Sequence, residues 1–161
     1  VVSDVSVREI RELYQVRAAL VGLRARWIAE DPQRDELLAR VAEPIAELQK
    51  LADRDAAGYT RTALLVNRSF TESLSNRWLR ATLASLMLQT SRYTRLALAS
   101  AEHRRYSARQ WRALFNAIRA GNGDRAEKIA AALSQATRDE AIRSLEKTSA
   151  GTAARRKKAA A

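Results

Sequence analysis

The 161-residue chain contains no cysteine, and glycine and proline are scarce, at 5 and 2 residues. The absence of cysteine excludes disulfides and thiol chemistry, and it fits a reducing compartment. No run of about 18 apolar residues is present, which excludes a membrane-spanning helix. The opening VVSDVSVREI lacks the basic and apolar segments of a signal peptide. We therefore expect a cytoplasmic protein without a membrane segment.

Groups that carry out catalysis are equally rare. The sequence has a single histidine, His103, no glycine-rich phosphate loop and no pair of carboxylates at a suggestive spacing. We place His103 in a solvated loop between the fourth and fifth helices, where one imidazole cannot build a metal site by itself. The sequence predicts that the protein is not an enzyme.

Hydrophobic residues make up 47% of the chain, and alanine, leucine, arginine and glutamate dominate, a composition typical of helical proteins. The formal net charge is +11. Four of these charges, Arg155, Arg156, Lys157 and Lys158, lie in the C-terminal tail, so 11 − 4 leaves +7 on the rest of the chain. Such a surface attracts anions, nucleic acid included, but does not choose among them.

Apolar residues recur at helical spacing in six segments, and no strand pattern or internal repeat is visible. The first helix begins near Ser6, whose spacing to Glu9 fits a capping box, and it ends at Asp31-Pro32. The fifth begins at Ser107, with a second capping box and a staple between Tyr106 and Trp111. The predicted ranges are 7–30, 35–54, 59–75, 78–99, 107–120 and 124–147. This pattern predicts an all-α, antiparallel six-helix bundle with short loops.

Arg17 lies on the predicted apolar face of the first helix, together with Ile10, Leu13, Leu20 and Trp27. A buried guanidinium keeps its charge and needs an anion nearby. Three interpretations stay open: an internal salt bridge to a glutamate, a side chain that reaches out to solvent, or a bound ligand that carries a carboxylate.

Other polar residues also fall on or beside inner faces. Asn67 and Thr71 flank the apolar stripe of the third helix, and Thr90 and Tyr93 belong to the inner face of the fourth. Internal hydrogen bonding explains each residue alone. Together they indicate a bundle with a polar middle, which is where ligand sites form in helical bundles. Trp111 faces inward as well, and we expect it to line the same cavity.

The order of four segments resembles the effector-binding domain of GntR-superfamily transcription regulators, of the type called FCD. LYQVRAALVGLRARWIAE is similar to the family's first helix. NRSFTESLSNRWL is similar to the pattern Asp-x-x-Phe-His-x-x-Leu followed by Asn-x-x-Leu. QWRALFNAIRAGN is similar to Glu-His-x-x-Ile-x-x-Ala-Ile-x-x-Gly-Asp, and GDRAEKIAAAL to the last helix. The resemblance covers about residues 7–146 and implies the GntR ligand-binding type of bundle.

Many members of this family hold a metal through one Asp and three His. By position, Asn67 replaces the Asp, and Thr71, Trp111 and Leu133 replace the three His. An amide, a hydroxyl, an indole and an isobutyl group provide neither an anionic nor an imidazole ligand. We therefore expect no metal or other cofactor, and a smaller, more apolar pocket. The resemblance also implies that Arg17 lies where family members contact a ligand carboxylate.

The resemblance implies a domain that senses a small, possibly carboxylate-bearing effector and forms a homodimer. It also implies a winged helix-turn-helix domain, absent from this sequence, through which the whole regulator would contact DNA. We accordingly divide the chain into a linker (1–6), an effector-binding and dimerisation domain (7–147) and a disordered basic tail (148–161). The alternative is a basic helical protein that binds nucleic acid directly through its surface and tail.

Overall fold

The computed structural model describes the backbone of residues 4–159 and the side chains of residues 6–151. Six helices and no strand occupy that part of the chain, as predicted. They are α1 (Asp4–Glu30), α2 (Arg34–Leu51), α3 (Ala56–Glu72), α4 (Arg77–Leu98), α5 (Ala101–Arg119) and α6 (Gly123–Ala159). Connections of two to four residues join them. No helix among the described residues is long and apolar enough to cross a bilayer.

Short polar side chains fix where α3 and α4 begin. Asp55 precedes α3 and accepts a hydrogen bond from the backbone N–H of Gly58 at 2.8 Å. Asn76 precedes α4 and accepts two, from the backbone of Trp78 and Leu79. Such caps satisfy N–H groups that the first helical turn leaves without a partner. They set the entry of α3 and α4, the two helices that border the outer side of the candidate site.

The fifth helix differs from the prediction. It begins at Ala101, six residues before Ser107, because Ser100 caps it through the N–H of His103. Ser107 and Trp111 therefore lie inside the helix, and neither the predicted capping box nor the staple marks its start. His103 is buried in α5 rather than solvated in a loop, and its Nε2 lies 3.1 Å from Thr137 Oγ1. Burial lowers the pKa of His103.

Both ends of the bundle also carry more helix than predicted. The first helix starts at Asp4, so Ser6 lies within it rather than capping it. The last helix continues to Ala159 instead of ending near Lys147, so the backbone of 148–159 is helical where we expected disorder. We expected disorder because residues 148–159 carry no apolar stripe. The segment is nevertheless helical, and the alanine, lysine and arginine residues in it are strong helix formers. Residues 1–3, 160 and 161 lie outside the described residues.

The core is divided into two apolar clusters. The larger joins residues of all six helices, and the smaller contains Ile10, Tyr14, Tyr93, Ala97, Ala141 and Ile142. Buried polar residues lie between the two clusters along three helices: Arg17 on α1, Thr90 and Thr94 on α4, and Thr137 on α6. The polar middle expected from the sequence is therefore a layer that crosses the bundle.

The inner face of α1 is rotated from the predicted one. Tyr14, Val21 and Ile28 are buried, whereas Trp27 is 40% exposed and does not face the core. Residues 10, 14, 17, 21, 24 and 28 form the buried row, with alternating steps of three and four. This register places a second arginine, Arg24, on the inner face seven residues after Arg17.

Candidate functional site

The polar layer encloses a small inner cavity of about 50 Å³ among α1, α3, α4, α5 and α6. Arg17 and Arg24 both line it, as do the indole of Trp111 and the hydroxyl-bearing Ser134. A space of this size holds one or two waters or a single small polar group, but not a whole organic ligand.

Arg17 is held at the cavity by two threonines of α4. Its Nη1 donates to Thr90 Oγ1 and to Thr94 Oγ1, each at 3.0 Å. The guanidinium carbon also lies 5.1 Å from the ring centroid of Tyr14. Burial lowers the pKa of Arg17, which is only 6% exposed. Arg17 makes no ion pair with any described acid, which argues against the internal salt bridge. Its side chain is buried, so it does not reach solvent either.

Arg24 is more deeply buried than Arg17, at 2% exposure. Its Nη1 donates to Asn67 Oδ1 at 2.8 Å, to Thr71 Oγ1 at 2.7 Å and to the Asn67 carbonyl at 3.2 Å. Burial, and secondarily the charge of Arg17, lowers the pKa of Arg24 to about 9. It keeps its proton at neutral pH, so the interior carries two positive charges.

No negative side chain in the described part of the chain compensates these two charges from inside the bundle. Among the described side chains, no aspartate or glutamate is buried. The Nε atoms of both arginines and the Oγ of Ser134 are buried without a hydrogen-bond partner in the described part of the chain. A buried charge and an unpaired buried donor each cost free energy unless an acceptor satisfies them. All three groups belong to residues that line the inner cavity, so this cavity suits an anionic group.

A wider cleft of about 530 Å³ lies beside the inner cavity, between α3 and α4. Arg17, Leu64, Asn67 and Thr94 line both spaces. The cleft is also strongly basic: four arginines line it, against one glutamate. They are Arg17, Arg68, Arg80 and Arg95, and Glu72 pairs with Arg68. This size and charge suit the body of a small organic anion whose acidic group reaches the inner cavity.

The structure brings together most of the residues singled out in the sequence. Thr71 lines the outer cleft, and Trp111 and Leu133 line the inner cavity. Trp111 packs edge-on against Phe70, with ring centroids 5.4 Å apart. Thr90 lines neither space and instead holds Arg17.

Tyr93 is not part of this group. It belongs to the smaller apolar cluster beyond the polar layer and lines neither space. It nevertheless neighbours Thr94, whose side chain faces Arg17.

Sequence reasoning missed Arg24, Thr94 and Ser134. Arg24 carried a usable signal, because it repeats Arg17 after seven residues and so shares its helical face. Thr94 repeats Thr90 after four. The sequence analysis placed Leu20 and Trp27 on the inner face of the first helix. Arg24 then fell on the predicted outer face and was not considered. Ser134 directly follows Leu133, and nothing in the sequence distinguishes it from an exposed serine.

Comparison with protein families gives one match, the FCD domain, over residues 12–136. The chain belongs to the FCD domain family. FCD domains are the ligand-sensing domains of GntR-type transcription regulators and are not enzymes. The matched range spans α1 to the middle of α6 and includes every residue that lines the two spaces except Thr137. No curated protein matches the chain significantly.

The residues present do not fit the metal that many FCD domains hold. No group of three or more His, Cys, Asp or Glu among the described residues could hold an ion. Asn67 and Thr71, which the family resemblance places at two metal-ligand positions, both accept hydrogen bonds from Arg24. A guanidinium nitrogen thus lies between the two side chains where a cation bound by positions 67 and 71 would be.

Proposed function

We propose that this domain senses a small organic anion, with a carboxylate as its acidic group, in a metal-free pocket of the helical bundle. The observation that carries the proposal is a pair of buried guanidiniums that line one cavity, with no buried acid among the side chains of residues 6–151. The carboxylate would enter the inner cavity at Arg17, and the rest of the effector would occupy the outer cleft. Charged hydrogen bonds to a buried guanidinium are among the stronger polar contacts in proteins.

Binding of this kind would couple α1 to α4. Arg17 comes from α1, and its present partners Thr90 and Thr94 belong to α4. A carboxylate that draws the guanidinium toward itself competes with those two hydroxyls and changes how the helices contact each other. The effector shifts the protein between two arrangements only if it binds one of them more tightly.

We further propose that the domain forms a homodimer through α4. Trp78, Ala81, Ser85 and Leu88 follow one another at steps of three and four, and all are exposed. Trp78 and Leu88 are 71% and 79% exposed. Small and apolar residues at this spacing form a stripe that suits packing against a second helix. Contact with DNA would then come through another domain of the regulator.

The test of effector binding is a thermal-shift and calorimetric screen of organic acids on the chain and on Arg17→Met. This variant should fold, because Thr90 also donates to the Leu86 carbonyl and Thr94 still contacts the Tyr14 hydroxyl. We expect acids that stabilise the parent chain to bind Arg17→Met roughly 10 to 100 times more weakly. The matched control is Arg105→Met, an exposed arginine outside the site that pairs with Asp53.

Equal binding to the parent and Arg17→Met would remove Arg17 from the site. If no organic acid bound the parent chain, the proposed function itself would fail. The metal-free part of the proposal predicts that EDTA leaves the melting temperature unchanged, and a lower melting temperature would contradict it.

A further inference from the structure

Arg24 is the second buried cation of the site, and a ligand with one carboxylate at Arg17 leaves its charge uncompensated. The two arginines differ in which space they line. Arg17 lines both the inner cavity and the outer cleft, whereas Arg24 lines only the inner cavity. Their Cα atoms are seven residues apart on one helix, which corresponds to about 10 Å along its axis. Two anionic groups at different depths would therefore meet one arginine each.

Part of the Arg24 guanidinium has no hydrogen-bond partner among the described residues, and its carbon lies 5.6 Å from the ring centroid of Phe70. Its Nη1 makes all three of its hydrogen bonds, to Asn67 and Thr71, while its Nε has no partner among the described residues. A guanidinium presents a planar fork that matches a carboxylate. The hydroxyl of Ser134, also buried and without a partner, belongs to the same cavity wall and provides a further donor.

Asn67 and Thr71 hold Arg24 in place as neutral acceptors. A carboxylate at position 67 would form an internal ion pair and remove the need for an external anion. The amide and the hydroxyl orient the guanidinium without neutralising it, so its charge stays available to a ligand. Arg24 of α1 therefore provides a fixed positive charge at the place where many relatives bind a metal ion.

We infer that the effector is a dicarboxylate, with one carboxylate held by Arg24 and Ser134 in the inner cavity and the other by Arg17 at the boundary with the outer cleft. This inference rests on the proposed function and adds the second anionic group and its partner. The inner cavity admits a carboxylate but little more, so the carbon chain between the two acids runs toward the cleft.

The test compares diacids with monoacids of equal carbon number by calorimetry: succinate with butyrate and glutarate with pentanoate. Each is titrated into the full chain, Arg24→Met and Arg24→Gln. We expect at least one diacid to bind the parent roughly 10 to 100 times more tightly than its monoacid. Both variants should lose that advantage, so that a diacid and its monoacid bind them with similar affinity, because only Arg17 then remains to hold an acidic group. Arg24→Gln keeps an amide donor for Asn67 and Thr71 and guards against loss of folding by Arg24→Met.

The possible failures are distinguishable. If monoacids bind as tightly as diacids, or if both variants keep the advantage of the diacid, the inference is wrong while the proposed function stands. If neither acid of either pair binds the parent chain, the dicarboxylate inference is overturned, and only the wider screen of organic acids then decides the proposed function.

Discussion

At the scale of single residues, Arg24 has opposite consequences for stability and for binding. Its guanidinium is buried and lacks an acidic partner among the described residues, and burial lowers its pKa from the usual value of a guanidinium to about 9, a shift that corresponds to several kcal/mol. Both values lie above neutral pH, so the group is charged in the folded and unfolded states and the cost is present across the neutral range. A residue retained at such a cost suits a binding site better than a core.

We therefore expect Arg24→Met, measured without any ligand at neutral pH, to raise the free energy of unfolding by about 1 to 3 kcal/mol. The gain is smaller than the full burial cost because Asn67 Oδ1 loses its donor, whereas Thr71 keeps its bond to the Asn67 carbonyl. Urea denaturation monitored by tryptophan fluorescence measures the difference. A variant less stable than the parent would mean that the hydrogen bonds of Arg24 outweigh the cost of its burial.

Some residues of the site could be predicted from the sequence and others could not. Arg17, Asn67 and Thr71 were found because a polar residue on an apolar face violates the helical pattern. Arg24 violates it in the same way, but Leu20, Leu23 and Trp27 suggest a competing face on α1. Leu20 and Leu23 are half-buried, so the first helix is apolar around much of its surface and its inner face could not be fixed.

At the scale of helices, the ends of α2 and α4 meet at one buried side chain. Arg104 of α5 donates through Nε to the Ala52 carbonyl at 2.7 Å and through Nη1 to the Leu98 and Ala99 carbonyls at 2.8 and 2.9 Å. Carbonyls at the C-terminus of a helix have no partner within it and carry partial negative charge. The carbonyls at these two helix ends thus offset the cost of burying the Arg104 charge. Arg17 and Arg24 do not contact the end of a helix in this way.

We expect Arg104→Ala to lower the free energy of unfolding by about 3 kcal/mol or more, since three carbonyls, two of them buried, lose their donor. Arg104→Lys should lose less, because an ammonium keeps the charge but cannot reproduce the fork. Chemical denaturation of both variants checks the order. Arg105→Ala, the exposed neighbour, is the control, with a change within about 0.5 kcal/mol. Equal stability of Arg104→Ala and the parent would contradict the assigned role.

The ends of helices were less predictable than their existence. Asn76 lies in the gap between the predicted ranges 59–75 and 78–99, and the structure uses it as the cap of α4. Ser107 was predicted to start the fifth helix, whereas Ser100 caps it, and His103 and Arg104 in the added turns pack into the core. Capping patterns specify which residues can start a helix, whereas tertiary contacts select among them.

At the scale of the whole molecule, composition and periodicity were sufficient for the class of fold, and the family match agrees with it. The polar layer between the two apolar clusters could be expected in part, because Arg17 and Thr90 interrupt apolar stripes, whereas its members Thr94 and Thr137 were not singled out. The separate inner cavity and outer cleft could not, since they depend on how far α3 and α4 stand apart. Gly22 of α1 is a second feature that could not be predicted from the sequence. A Cβ atom at this position would lie 3.2 Å from Glu127 Cγ, because α1 approaches α6 closely there.

The proposed dimer forms through the exposed stripe of α4 that contains Trp78, Ala81, Ser85 and Leu88. We expect Ala81→Glu to convert a dimer into a monomer, because two like charges would meet where small residues allow the helices to approach. Glutamate is a good helix former and Ala81 is exposed, so the fold of each subunit should be unaffected. Sedimentation velocity over a range of concentrations measures the mass, and circular dichroism checks the fold. Ala46→Glu, an exposed alanine of α2, is the matched control and should remain dimeric. A parent chain that is monomeric at high concentration, or an Ala81→Glu variant with the parent's mass, would place the interface elsewhere or remove it.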